Sequence, residues 1–147
     1  NKTCTITNTY VMRDETAFAK GGTDFCFSDP GAPDPTFSNW GWTNEVTYVE
    51  DLSITWPLYA GASGCVGGTM VGEVTFTFNN GTLALDFNDF DLGDGYGLED
   101  FAVYAGSEPF PKQGGDGRYT VSPGQYYIET NLSGTVYVII HAVVLMP

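Results

Sequence analysis

The feature that most constrains the fold is a strict alternation of apolar and polar residues. It is clearest over 73–78, which reads Glu-Val-Thr-Phe-Thr-Phe, and it returns over 82–87 after Asn80-Gly81. Successive side chains of a β-strand point to opposite faces, and Asn-Gly is a favoured two-residue turn between antiparallel strands. The pattern therefore predicts a β-hairpin.

Runs of strand length recur along the chain, and none has a helical period of useful length. Turns rich in Gly, Pro, Asp and Ser separate them, the longest over 21–39. The last run is the most apolar, which predicts a central strand, whereas Pro57 predicts a sheet edge or a strand end. We expect one all-β domain over 1–147, an antiparallel β-sandwich or jelly roll of about eight to ten short strands. The predicted strands are 3–12, 14–20, one or two within 46–59, 73–78, 82–87, 98–104, 119–121, 125–129 and 135–145.

The charge balance excludes several classes of partner. The chain has 18 acidic and five basic residues, a formal net charge of −13. Such a surface repels phosphate backbones and anionic lipid, so nucleic-acid binding is not expected. The longest apolar stretch, 136–146, is much shorter than the roughly 20 residues of a spanning helix, so membrane insertion is not expected either.

The chain begins with Asn1, which suggests a mature extracellular or cell-surface protein after signal-peptide removal, although any other truncation would begin the same way. Three glycosylation sequons begin at Asn1, Asn80 and Asn131. We expect the latter two asparagines in turns, where a glycan would be accessible. In a bacterium the sequons would carry no such meaning.

Three cysteines are present, and their spacings match no zinc motif. We expect a Cys26–Cys65 disulfide, with a buried free Cys26 as the alternative. An odd cysteine in a secreted chain suggests a free thiol, an intermolecular partner or a lost mate, and Cys4 is the residue left over.

Few residues suggest catalysis, and we do not expect an enzyme. His141 is the only histidine and lies in a strongly apolar run, where a structural role is expected rather than a catalytic triad. The sequence has no nucleophile elbow of the Gly-x-Ser-x-Gly type. A glycosidase needs two placed carboxylates, which 18 acidic residues could supply by chance.

Two groups of residues suggest ligand binding. Oxygen-rich acidic loops can hold calcium, and the alternative is a solvated loop. Neighbouring tryptophans can stack on sugars, and the alternative is core packing. The candidate calcium ligands are Asp86, Asp89, Asp91 and Asp94, and the candidate sugar-stacking residues are Trp40 and Trp42.

Several phrases together resemble a poorly characterised family of secreted bacterial β-domains, often found at the ends of larger surface proteins. The phrases are Glu15-Thr-Ala-Phe-Ala19, Cys26-Phe27, Asn39-Trp-Gly-Trp-Thr-Asn44, Tyr59-Ala-Gly61, Cys65, Gly95-Tyr96, Val103-Tyr-Ala-Gly106, Glu108-Pro-Phe-Pro111, Val121-Ser-Pro-Gly-Gln125 and His141-Ala-Val-Val144. The resemblance implies an extracellular β-sandwich and no particular activity. In that family a cysteine often follows the final His-Ala-Val-Val, where this chain has Leu145-Met-Pro147. The resemblance therefore implies that Cys4 has lost its mate.

Two functions are compatible with these features. The first is an extracellular structural protein, a subunit of a fibre, pilus-like or surface assembly, in which strand 1–12 is exchanged between copies. The alternative is a carbohydrate-binding or adhesion module, with or without calcium.

Overall fold

The computed structural model describes residues 12–147. This part of the chain is all-β, with nine strands and no α-helix. The strands are β1 Arg13–Ala19, β2 Asp24–Cys26, β3 Trp42–Thr47, β4 Ser53–Ala60, β5 Thr69–Asn79, β6 Thr82–Ala84, β7 Phe90–Leu92, β8 Gly97–Gly106 and β9 Thr135–Met146. Single 3₁₀ turns cover Ser63–Cys65, Phe87–Asp89 and Pro123–Gln125.

The predicted hairpin is present. Asn79 pairs with Thr82, and Asn80 and Gly81 both have positive φ, as a type I′ turn requires. The second strand is shorter than predicted and ends at Ala84, because Asp86 caps a 3₁₀ turn. The predicted strand over 3–12 lies almost entirely outside the described residues.

Most of the other predicted strands are also present. The segments 14–20, 98–104 and 135–145 correspond to β1, β8 and β9, and β3 and β4 occupy the region around 46–59. The predictions at 119–121 and 125–129 were wrong. Those residues make only isolated bridges, because Pro123 and Gly124 turn the chain before a ladder can extend.

Strand β9 is central, as its apolar sequence predicts. One of its edges pairs with β8, and the other pairs with β1 over 141–146 and with β3 over 135–138. The sheet continues from β1 to β4 and then to β5, whose far edge holds β6 and β7. All nine strands thus form one hydrogen-bonded sheet, consistent with a sandwich-like fold.

Two clusters of buried side chains lie on opposite faces of β9. Val138 and Ile140 join the first core, and Ile139 between them joins the second. The first core is the interior between β8–β9 and β4–β5. The second is covered by loops, and its buried members are Phe18, Phe27, Trp42, Ala62, Tyr104, Phe110, Val121 and Ile139.

Pro57 lies inside β4, which pairs with both β1 and β5, so the prediction of a sheet edge or a strand end was wrong. The Pro57 carbonyl accepts a bond from the Lys20 N–H at the point where β1 leaves β4. The carbonyl and the nitrogen of a strand residue face the same side. The ring nitrogen therefore faces Lys20, one residue past the end of β1, so proline forgoes only the last reciprocal bond between the two strands.

Candidate functional site

Strand β8 ends the sheet on one side and has an incompletely paired edge. The Ala105 N–H donates to the Tyr127 carbonyl over 3.1 Å, and its carbonyl accepts from the Glu129 N–H over 2.8 Å. Backbone groups alternate in direction along a strand, so Val103 and Phe101 also point away from β9. No other described backbone segment bonds to these two residues, and only the Phe101 N–H has a partner, the Asp100 carboxylate at 2.9 Å.

A seam of half-covered apolar side chains runs beside this edge. The Phe101 ring lies 5.0 Å from the Phe87 ring and 5.1 Å from the Phe90 ring, both centroid to centroid. Phe87 is 53% exposed. Other partly buried residues of the first core nearby are Leu85, Leu92, Tyr96 and Leu98. The two edges of the curled sheet thus approach each other without closing, and apolar surface remains accessible between them. We call this region the β8 seam.

Two acidic residues, Glu99 and Asp100, lie near the N-terminal end of the same strand. A β-bulge falls between Leu98 and Asp100, at Glu99. A side-chain hydrogen bond with Asp14 raises the pKa of Glu99, and burial and the neighbouring negative charges act in the same direction. Bulges and charges are common features of exposed sheet edges. The edge is therefore acidic at one end and free of charge around Val103.

The Cys26–Cys65 disulfide is present and links two loops. It joins positions 39 residues apart, at the end of β2 and in the 3₁₀ turn before β5. Disulfides persist in oxidising compartments, so the bond is consistent with a non-reducing environment. Cys4 lies outside the described residues. Within 12–147, no helix is long and apolar enough to cross a bilayer.

A pocket of about 420 Å³ opens on the other face of the sheet, over the second core. Its floor is formed by Thr16 and Phe18 of β1 and by His141 of β9. The Phe18 and His141 rings are paired across the two strands, with centroids 5.1 Å apart. Burial lowers the pKa of His141, and the Asp100 charge opposes that effect. The imidazole is therefore neutral at neutral pH.

The walls of this pocket are the two loops that the disulfide joins. One wall is 38–40, in the loop after Cys26, and the other is 63–64, just before Cys65. Gly41, which follows the first wall, has a φ of 151° and packs against the Phe27 ring. A Cβ at this position would collide with that ring, so the close approach of the loop requires glycine. We call this cavity the Trp40 pocket, after the aromatic residue that lines it.

Trp40 and Trp42 do not form a flat platform. Their rings meet at 79° with centroids 5.6 Å apart, and Trp42 is only 3% exposed. Trp42 packs in the second core, which was the alternative to sugar stacking for this residue. Trp40 is half-buried and lines the pocket. The geometry therefore does not support stacking by the pair and leaves Trp40 alone accessible.

The four acidic residues proposed as calcium ligands are not gathered into one cluster. Asp86 accepts from the Asn88 N–H and Asp89 accepts from the Asp86 N–H, both over 2.8 Å, in a capping box. Asp91 lies in β7 and Asp94 in the following turn, both exposed. Within 12–147, no three His, Cys, Asp or Glu residues lie close enough to hold a metal ion. Short polar side chains readily bond the local backbone, as Asp86 and Asp89 do here, and calcium binding by this run stays a prediction.

Two of the three sequon asparagines lie in neighbouring turns, as predicted. Asn80 and Asn131 are exposed, both have positive φ, and the Leu132 N–H donates to the Gly81 carbonyl over 2.7 Å. Asn1 lies outside the described residues. The turns are accessible, and whether they carry glycans stays a prediction.

No protein-family model, curated protein or solved structure significantly matches this chain. Its function is therefore argued from its own residues. Sequence reasoning missed the β8 seam, and it named Trp40 without identifying the pocket around it. The one available signal for the seam was the acidic pair Glu99-Asp100 inside a strand-like run, which is typical of an edge.

Proposed function

We propose that this chain is a structural subunit that assembles outside the cell by β-strand addition. Residues 1–11 of one copy would pair with the free edge of β8 in the next copy. The observation that carries the proposal is the outward-facing backbone of Val103, whose N–H and carbonyl have no partner among the described residues. Such an edge is a template for another strand.

The sequence of residues 1–11 suits the donor role. Cys4, Ile6 and Tyr10 share one face of an extended strand with Asn8, and four threonines and Val11 occupy the other. An apolar face of this kind would cover the β8 seam, where Phe87 and Phe101 are incompletely buried. The donor would thus add both backbone hydrogen bonds and apolar burial.

Charge also favours this pairing. Residues 1–11 contain Lys2 and no acidic residue, whereas the acceptor edge carries Glu99 and Asp100. Opposite charges across an interface speed encounter and fix orientation more than they add affinity. The attraction is strongest at low salt, because ions screen exposed charges.

Chain length permits exchange between copies. Eleven extended residues span roughly 36 Å, whereas the seven residues of the edge from Leu98 to Tyr104 span roughly 23 Å. Residues 1–11 precede β1, and β9 lies between β1 and β8. To pair with the outer edge of β8 in its own copy, this segment would have to cross both β9 and β8. Pairing with a neighbour needs no such crossing. A head-to-tail contact of this kind grows into a filament unless its rotation closes a ring.

The test compares two substitutions at one position in the full chain. Val103→Pro removes the outward N–H and leaves the β8–β9 bonds intact, and Val103→Ala removes a similar volume from the core but retains the N–H. We expect the wild type and Val103→Ala to form filaments by electron microscopy, and Val103→Pro to sediment as a monomer with unchanged circular dichroism. Dispersed wild-type monomers, or filaments of Val103→Pro, would contradict the proposal.

A further inference from the structure

The Trp40 pocket has the composition of a site for an uncharged, hydroxyl-rich ligand. It lies on the outer face of β9, away from the first core and the β8 seam, so strand addition would leave it open. Its volume of about 420 Å³ lies within the range of small-ligand sites. What it would bind follows from three properties of its lining.

The first property is a fixed aromatic surface. The edge of the Phe18 ring contacts Trp40, with centroids 5.2 Å apart at 74°, and Trp42 supports it from another side. Trp40 is half-buried, so these contacts limit its motion while part of the indole faces the pocket. A large ring held in one orientation gives contact area at little entropic cost.

The second property is a set of polar side chains around that ring. The hydroxyls of Thr16, Ser38 and Ser63 and the amide of Asn39 line the pocket. Hydroxyl and amide groups both donate and accept hydrogen bonds. They therefore match ligand hydroxyls, which also do both.

The third property is the absence of charge. No Asp, Glu, Lys or Arg lines the pocket, although the chain as a whole carries a net charge of −13. His141, the one titratable group on its floor, is held neutral by burial. A charged ligand would lose hydration here without gaining a counter-charge. Anionic ligands would in addition be repelled by the surrounding surface.

We propose that the Trp40 pocket binds a neutral carbohydrate, with one sugar ring against the Trp40 indole. A second cavity of about 460 Å³ adjoins it and shares Asn39, Val121 and Pro123 with it. Tyr119 and Gln113 line that cavity and offer further hydrogen-bonding groups. The two cavities together accommodate at least two linked sugar units. The subunit would then present one sugar site per copy along its assembly.

The test is a binding assay on the full chain with named probes. Tryptophan fluorescence would be titrated with neutral hexasaccharides (cellohexaose, maltohexaose, laminarihexaose and mannohexaose) and with hexagalacturonate as the acidic counterpart. We expect saturable binding of at least one neutral probe and none of the acidic one. Preferred binding of hexagalacturonate, or no response to any neutral probe at millimolar concentration, would overturn the proposal.

Variants then locate the site. Trp40→Ala should weaken binding by tenfold or more, and Asn39→Ala should weaken it in isothermal calorimetry. Asn88→Ala is the matched control, because Asn88 is exposed on the far 3₁₀ turn, and it should change nothing. If Trp40→Ala does not fold, Ser38→Val and Asn39→Ala decide the question. Unchanged affinity in these variants places the sugar elsewhere and overturns the proposal. The sugar titration is also run on Val103→Pro, the variant that should not assemble. Sugar binding by this variant would show that the pocket proposal stands or fails independently of the assembly proposal.

Discussion

Phe87 and Phe101 face each other across the open side of the sandwich, with ring centroids 5.0 Å apart. Phe87 lies on a 3₁₀ turn and Phe101 on the edge strand β8, so their contact bridges the two ends of one curled sheet. Phe87 nevertheless remains 53% exposed as a residue. We interpret this exposed ring as part of the surface that an incoming strand would cover.

Substitution of Phe87 should therefore affect assembly much more than monomer stability. Phe87→Ser should lower the free energy of unfolding by less than about 1 kcal/mol, because the side chain is half exposed. It should raise the critical concentration for filament formation by several fold, measured by sedimentation. Val66→Ser is the control, since Val66 is exposed on the loop after the disulfide. Equal critical concentrations for the two variants would argue against the β8 seam as the interface.

Asn44 should be the most costly polar residue to replace among those discussed. It is fully buried, and its side chain accepts from the Gly21 N–H at 2.7 Å and donates to the carbonyls of Val138 and Ala19 at 3.0 and 3.3 Å. Asn44→Ala leaves three backbone groups without partners and should cost about 3 kcal/mol. Urea denaturation measures this, with the better exposed Asn79→Ala as control at about 0.5 kcal/mol. Similar losses for both would contradict the role of Asn44 as the link between strands.

The disulfide should contribute strongly to stability because it closes a long loop. For the sequence separation of 39 between Cys26 and Cys65, the chain-entropy estimate is about 4 kcal/mol. Replacing both cysteines with serine should lower the free energy of unfolding by that order in equilibrium urea denaturation. It should also weaken sugar binding, because the same bond joins the two walls of the Trp40 pocket. A double variant as stable as the wild type would show that other contacts already fix these loops.

His141 should make stability depend on pH in the weakly acidic range. Burial lowers its pKa in the folded state below the ordinary value of 6.5, so the unfolded chain takes up a proton first as the pH falls. The free energy of unfolding should therefore decrease from about pH 6.5 towards the lower folded-state pKa. His141→Gln should lack this contribution, which a comparison of denaturation curves measures. Titration of the single histidine by NMR at or above 6.5 would contradict the argument.

The local part of the fold could be predicted from the sequence. The Asn80-Gly81 turn and the alternation around it depend on neighbouring residues, and both are as expected. The apolar run of β9 also predicted its central place, because a strand buried on both faces needs no polar side. These predictions succeeded because turn conformation and strand burial are determined largely by the local sequence pattern.

The candidate functional regions could not be predicted from the sequence because they depend on contacts between distant segments. Nothing in the sequence pairs Phe18 with His141 or places residues 38–40 opposite 63–64. The sequence of the acidic run also gave no sign of the capping box that Asp86 and Asp89 form with their own backbone. Trp42 was predicted to be part of a sugar-stacking surface, whereas it lies in the second core. That core forms only when the loops cover the sheet, which the local sequence does not show.

Hydrogen exchange at one backbone amide tests the central proposal most directly. The Val103 N–H faces the free edge of β8 and has no partner among the described residues. Its exchange should be fast in dispersed monomer and slower by a hundredfold or more in the assembled form, while the Ile140 amide of central β9 is protected in both. Equally fast exchange of the Val103 amide in filaments would place the contact between copies elsewhere and contradict strand addition at β8.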